Sequence, residues 1–266
     1  MITSLALNIA ALLALLPAAG LSFRRAGRPD ALFYALLALG VLGPGLWVAA
    51  QADGPWHTGF AMSLWLTIAA TMALFLALTL ATRHAWQLTP LLVPYLVILA
   101  VAALIWQQAP ERPMPGAVPA GWLDAHIVFA VATYGLLTIG AVAGLAVFLQ
   151  ERALKAKRPT LLTRLLPPVT ESEALEVRLL AASEAVLALG LASGMAAAHF
   201  LGGRLLPLDH KTVLSVAAFV VIGLLLIARR RSGIRGRRAA RWVLVAYLLL
   251  TLAYPGVKFV TDVLMT

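Results

Sequence analysis

Long apolar runs alternate along this chain with short stretches that are rich in charge, glycine and proline. A helix that crosses a membrane needs about 20 mostly apolar residues. Eight runs meet that requirement: 3–22, 31–50, 60–81, 89–107, 123–149, 179–201, 211–229 and 241–262. The pattern therefore predicts an all-α fold, a polytopic membrane bundle of eight transmembrane helices that forms one unit over residues 1–266.

The basic residues are concentrated in every second connecting loop. Seventeen of the 21 lysines and arginines follow the first, third, fifth and seventh runs, and the four others are Arg112, Arg204, Lys211 and Lys258. Short cytoplasmic loops of membrane proteins carry an excess of Lys and Arg. This asymmetry predicts a multi-pass protein of a bacterial inner (plasma) membrane, with the basic loops in the cytoplasm and both termini outside.

Composition supports the membrane class and removes several others. The chain is 62% hydrophobic and 12% charged, and its mean hydropathy is +0.91. We attribute the net charge of +10 to membrane orientation and expect no nucleic-acid partner, because the basic residues lie between apolar runs. No cysteine is present, which excludes disulfides and thiolate metal sites. Arg24, Arg25 and Arg28 follow the first run, the reverse of a signal peptide's charge order, so we predict a retained first helix.

Three loops are predicted to face outward, 52–59, 108–122 and 202–210, and the second is too rich in proline for a helix. The fifth run contains Gly140-x-x-x-Gly144 and the sixth contains Gly190-x-x-x-Gly194. Small residues at this spacing allow two helix backbones to approach closely, or they reflect only the usual frequency of glycine in membrane helices. Glu184, near the cytoplasmic edge of the sixth run, is expected to reach the interface or to pair with an arginine of the basic loops.

Candidate chemistry centres on histidine. His126 opens the fifth run, and His57, His199 and His210 also lie near the outer face, whereas His84 lies in a basic loop. The absence of a His-x-x-x-His spacing argues against a zinc or copper site. A haem needs one or two imidazoles, an apolar slot and cations for its propionates. Residues that could meet these needs are His126, His210, Arg204, Lys211, Trp122 and Trp56. Each also has an ordinary explanation, because tryptophan and arginine are common anchors at membrane interfaces.

Three segments together resemble the cytochrome c assembly protein family. They are Trp122-Leu-x-x-His126 with Val131-Ala-Thr-Tyr134, then Leu208-Asp-His-Lys-Thr212, and Gly233-Ile-Arg-Gly-Arg-Arg238 with the helix that follows. The resemblance covers residues 121–262 and is strongest to the short inner-membrane (YpjD-type) branch. It implies haem as a cofactor at the outer face and His126 as the iron ligand, with His210 as a weaker second ligand and Trp122, Asp209 and Arg204 as neighbours of the haem. It also implies a non-enzymatic handling role beside other cytochrome c maturation subunits.

The chain departs from the haem-delivering branch of that family at two positions. Ile227 stands where that branch has a histidine before the basic turn, and Leu264 or Met265 stands where it has a second outer histidine. An alternative therefore stays open: a haem-free membrane accessory of a transporter or efflux system. Secondary transport is a third reading, because Pro94 and Gly43-Pro44-Gly45 suggest interrupted helices.

Overall fold

The computed structural model describes residues 2–24, 28–51, 57–108, 112–113, 120–202 and 209–264. This part of the chain is helical except for short turns and one two-residue strand pairing. The helices are α1 (Ile2–Arg24), α2 (Ala31–Gln51), α3 (Phe60–Ala81), α4 (Thr89–Ile105), α5 (Ala120–Ala156), α6 (Leu161–Leu165), α7 (Val169–Gly202), α8 (His210–Ser232), α9 (Gly236–Thr251) and α10 (Val257–Phe259). Eight helical segments of the described chain are long and apolar enough to cross a membrane, which confirms the predicted all-α, eight-span bundle.

Two of the predicted spans are longer than their apolar runs. The fifth was expected at 123–149 and the sixth at 179–201, but α5 extends to Ala156 and α7 begins at Val169. The 37 residues of α5 measure about 55 Å, against about 30 Å for the hydrocarbon layer. Both helices therefore project beyond the bilayer at the end that carries the basic loops, which we call the basic end. Hydropathy alone ends a span at the first charges, so it missed these extensions.

The basic end closes on a short corner between α5 and α7. A capping box of Thr160 and Thr163 starts α6, and Gln150 near the end of α5 donates to the carbonyls of Thr163 and Pro167 at 2.9 and 3.1 Å. Satisfying these carbonyls with a side-chain amide fixes the turn that connects two membrane helices. Residues 150–178, which lie between the fifth and sixth apolar runs, are thus mostly helical.

The central helix of the bundle is α5. Its most apolar stretch is 67% buried, whereas no other span exceeds 44%. One face of α5, with Ile139 and Ala143, packs into a core built mainly from α1 to α4. Another face, with Leu137 and Ala141, packs into a second core with α7, α8 and α9. Residues carried by α5 are consequently held from both halves of the molecule.

Small residues let α5 and α7 approach closely, and this is the most extensive helix pairing in the described chain. A Cβ added at Gly140 would touch Leu179, and one added at Gly144 would lie 3.2 Å from the carboxylate of Glu176. On the partner helix, Gly190 faces Phe129 and Gly194 faces His126. Both glycine pairs therefore lie where α5 and α7 approach closely. This favours a specific helix crossing over the alternative, in which the spacing reflects only the usual frequency of glycine in membrane helices.

Charged groups hold the basic end of the second core together. Arg229 of α8 and Glu176 of α7 form an ion pair with a 2.7 Å contact, and their side chains are only 8% and 0% exposed. Glu173 accepts a hydrogen bond from the backbone N–H of Gly236 at 2.7 Å, where α9 begins. The guanidinium of Arg237 lies 4.9 Å from the ring centre of Phe148 on α5.

Glu184 was expected to reach the membrane interface or to pair with an arginine of the basic loops. It lies instead at the α7–α8 contact, where one carboxylate oxygen is 3.0 Å from the Cβ position of Gly223.

At the other end, which we call the opposite end, the described parts of two connections pair with each other. Strand β1 (His57–Thr58) runs antiparallel to β2 (Arg112–Pro113), which agrees with the extended conformation expected from the prolines of 108–122. The remainder of that loop lies outside the described residues. Lys258 of α10 donates to the carbonyl of Gly59 at 3.3 Å, so the last span ends beside the start of α3.

Helix irregularity is found at a different place from the one that sequence suggested. Helices α2 and α4 run without interruption through Pro44 and Pro94, so the discontinuous helices considered for secondary transport are absent from these two spans. The last span instead passes through π-helical turns at Leu252–Gly256 and Val260–Leu264. Pro255 lies in the first of them and has no N–H to donate, which explains the widened turn.

Candidate functional site

His126 lies in the first turns of α5 at the opposite end of the bundle. At about 1.5 Å per residue it is about 39 Å along the helix from Arg152. This distance exceeds the hydrocarbon thickness of about 30 Å, so when Arg152 lies at one membrane surface His126 lies at the other. Its side chain is half-buried. The imidazole is therefore shielded by protein at the boundary between the apolar layer and water.

Helix α7 supplies the neighbours of this imidazole. The Nδ1 atom of His126 is 2.9 Å from the Oγ atom of Ser193. A Cβ on Gly194 would lie 3.0 Å from Cε1 of the imidazole, so the absence of a side chain there makes room for the ring. The imidazole is held at Nδ1 by the hydroxyl of Ser193, and its Cε1 atom lies nearest the space that a side chain at Gly194 would fill.

Trp122 joins the same group of residues from one turn earlier on α5. Its indole Nε1–H donates to the carbonyl oxygen of Ser193 at 3.0 Å, while the residue as a whole is 42% exposed. A tryptophan with one edge bonded to protein and the rest exposed is typical of a membrane interface. The structure thus brings together two predicted site residues, Trp122 and His126, around Ser193, which sequence reasoning did not single out.

The other predicted site residues are placed less closely. Asp209 is the N-cap of α8, where its carboxylate accepts from the backbone N–H of Thr212 at 2.8 Å. Burial raises the pKa of Asp209, but the hydrogen bonds from Thr212 and the charges of Lys211 and His210 outweigh it, so the pKa lies below its usual value. His210 is the exposed first residue of α8. Arg204 and Trp56 lie outside the described residues.

The described residues contain no group of three or more His, Cys, Asp or Glu side chains that could hold a metal ion. A haem iron needs fewer protein ligands, since one axial imidazole is enough to hold it in some haem proteins. His126 fits that single requirement, because one of its ring nitrogens is engaged by α7 and the other is not engaged within the described part of the chain.

A second polar cluster lies near the middle of the bundle and was missed by sequence reasoning. The hydroxyl of Tyr247 on α9 contacts that of Tyr95 on α4 and lies 3.1 Å from that of Tyr134 on α5. The Tyr134 hydroxyl also reaches Thr251 at 3.2 Å. Tyrosine inside an apolar run, away from both membrane surfaces, was the available signal, because a buried hydroxyl needs a hydrogen-bond partner. The cluster links the first four membrane-spanning helices to the last four.

These features define a class: a polytopic helical membrane protein that presents a helix-held histidine at one membrane surface. The family model described as "Cytochrome C assembly protein" matches residues 34–265. The chain belongs to this family. The match begins well before residue 121, where the resemblance in the sequence begins, and it includes the α5–α7 pair and the basic turn before α9.

Two curated proteins are similar to this chain. The chain is 57% identical over 263 residues to an "Uncharacterized 28.8 kDa protein in nifR3-like 5'region" of Azospirillum brasilense, with 97% of both chains covered. It is 24% identical over 159 residues to "Protein HemX" of Brevibacillus brevis, which covers 60% of this chain and 58% of that protein. No solved structure matches this chain.

Proposed function

We propose that this member of the cytochrome c assembly family binds haem at the opposite end of the bundle, where the Nε2 atom of His126 would hold the iron. The observation that carries the proposal is the half-buried imidazole held on α7 through Nδ1. A ligating histidine in proteins usually donates its second ring nitrogen to a fixed acceptor, which orients the ring. Membership in the cytochrome c assembly family supports haem as the cofactor.

The residues around His126 would bind and shield the cofactor without covalent chemistry of their own. Trp122 offers an exposed indole surface one turn from the imidazole. His210 and Lys211 at the start of α8 remain the proposed second ligand and propionate partner, and Arg204 and Asp209 complete the expected set. The protein would act as a non-enzymatic haem-handling component together with other cytochrome c maturation subunits.

The sidedness of the protein is part of the proposal. We place the basic end in the cytoplasm and His126 at the outer face of a bacterial inner membrane, because exposed arginines and lysines crowd the ends of α5 and α8. The natural lack of cysteine makes single-cysteine labelling direct. In spheroplasts, a membrane-impermeant maleimide should label Gln51→Cys and should label Lys157→Cys only after permeabilisation. The reverse pattern would invert the topology.

Absorption spectroscopy tests haem binding. Purified protein supplemented with haem should show a Soret band that His126→Ala loses, while His84→Ala, altered at the basic end, keeps it. Thermal unfolding of each variant in the same detergent separates loss of a ligand from loss of the fold. Identical spectra for the wild type and His126→Ala would remove His126 as the ligand.

A haem-free accessory protein is the second candidate function. It is favoured by the observation that the contacts of His126 with Ser193 and Gly194 also tie α5 to α7, a purely structural role for the imidazole. In that case the wild type itself would show no Soret band, and His126→Ala would lower thermal stability without any spectral change.

A further inference from the structure

The hydroxyl of Ser193 contacts two polar groups but has only one proton to donate. Its hydroxyl carries one proton, which it donates to the carbonyl of Gly190 at 2.9 Å. The same oxygen lies 2.9 Å from Nδ1 of His126. With the hydroxyl proton on that carbonyl, the second contact places a proton on Nδ1, so the histidine donates and the serine oxygen accepts.

A neutral imidazole carries one N–H, so a proton on Nδ1 leaves a lone pair on Nε2. We infer that Ser193 is a positioning residue that holds His126 in the Nδ1–H tautomer and so makes Nε2 the ligating nitrogen. The ligand role rests on the proposed function, whereas the tautomer is a property of the protein without any cofactor.

The surroundings favour this tautomer over the reverse one. Ser193 is 6% exposed, so water competes little for its hydroxyl. The reverse tautomer would take the hydroxyl proton away from the carbonyl of Gly190, and it would put an N–H on Nε2, which makes no hydrogen bond within the described part of the chain.

The missing side chain at Gly194 leaves space for the ring beside Ser193. A Cβ on Gly194 would lie 3.0 Å from Cε1, 3.6 Å from Nδ1 and 3.8 Å from Nε2. Of these three ring atoms, Nε2 is therefore the farthest from that point on α7. Trp122 holds the other side of Ser193 by donating to its carbonyl oxygen. The serine, and with it the imidazole, is thus fixed from two positions on α5.

Nitrogen NMR of ¹⁵N-histidine-labelled protein in detergent micelles tests the tautomer directly. At a pH where the ring is neutral, His126, identified by the signal that disappears in His126→Gln, should show a protonated Nδ1 and an unprotonated Nε2. In Ser193→Ala the signals should move toward the Nε2–H tautomer, and Ser193→Thr, which keeps a hydroxyl, should retain the wild-type pattern. A wild-type ring protonated on Nε2 would overturn the inference.

Ser183→Ala is a matched control. Ser183 is also buried on α7, and its hydroxyl donates to the Leu180 carbonyl three residues earlier, at 3.0 Å, as Ser193 does to Gly190. It therefore removes the same kind of helix hydrogen bond away from His126. The control should leave the His126 signals unchanged, and an equal shift in both alanine variants would show a general loosening of α7.

Haem titration then tests the positioning role. Loss of such a hydrogen-bonded partner typically weakens metal affinity by about 10–100-fold, so Ser193→Ala should bind haem more weakly than Ser183→Ala. Its reduction potential should be higher, because an imidazole that donates from Nδ1 is the more basic ligand. A wild type that binds no haem would refute the proposed function and leave the NMR result standing. Equal affinity and potential in both variants would refute the positioning role alone.

Discussion

Gly194 of α7 lies against the imidazole of His126, so closely that a Cβ at residue 194 would come within 3.0 Å of the ring. Gly190, one turn away on the same face, would gain only an ordinary 3.7 Å contact with Phe129. The two glycines of one motif therefore differ in what they accommodate. One leaves room for helix packing, and the other leaves room for the proposed ligand.

Gly194→Ala should displace His126 and weaken haem binding, whereas Gly190→Ala should leave it nearly unchanged. Overpacking of this kind costs about 1–3 kcal/mol when the surroundings cannot move. Haem titration of both variants followed by thermal unfolding is the measurement. A larger loss of haem affinity in Gly190→Ala than in Gly194→Ala would contradict the observed placement of the ring.

Breaking the buried ion pair should strongly destabilise the second core. Glu176→Gln leaves the guanidinium of Arg229 uncompensated in a site where both side chains are almost fully buried, and the loss of one partner of such a pair costs about 3–5 kcal/mol. Glu171→Gln, an exposed position of the same helix, is the control and should change stability little. Replacing both partners, as in Glu176→Leu with Arg229→Met, should recover much of the loss in thermal unfolding.

Two glycines of the basic turn allow backbone strain to be separated from steric conflict. Gly233 and Gly236 both have positive φ, +65° and +61°, and an alanine in that conformation costs about 1–2 kcal/mol. A Cβ at Gly236 would also lie 2.1 Å from a carboxylate oxygen of Glu151, while one at Gly233 meets nothing within 4 Å.

Gly236→Ala should therefore destabilise the protein more than Gly233→Ala. Adding Glu151→Ala should bring the Gly236 variant close to the Gly233 variant, because only backbone strain then remains. Unfolding midpoints of the three proteins in one detergent provide the comparison. Equal midpoints for the two single glycine variants would show that Glu151 can move aside at no cost.

Removing one hydroxyl should loosen the contact between the two halves of the bundle. The hydroxyl of Tyr247 reaches Tyr95, Tyr134 and Thr138, so Tyr247→Phe affects three partners, whereas Tyr95→Phe removes the contact of Tyr95 with Tyr247. Hydrogen bonds between membrane helices contribute about 0.6 kcal/mol each on average. Tyr247→Phe should lower the unfolding midpoint more than Tyr95→Phe, and the opposite order would show that the cluster is not centred on Tyr247.

Sequence alone determined the class and most of the helix count, because a bilayer imposes its thickness on every apolar run. It also picked out His126 and Trp122, and the glycine spacings of α5 and α7, since these are local patterns. Hydropathy could not reveal that α5 and α7 continue past the membrane or that Glu176 is buried against Arg229. Both follow from packing between segments that are distant in the chain.

Only the tertiary structure identified Ser193, which no motif marks. A serine in a membrane helix is unremarkable until a histidine from another helix is found 2.9 Å from its hydroxyl. The same holds for the hydroxyls of Tyr95, Tyr134 and Tyr247, which three different helices bring together. Sequence fixes which groups exist and how deep in the bilayer each lies, but helix rotation and crossing decide which of them meet, and these depend on side-chain packing across the whole bundle.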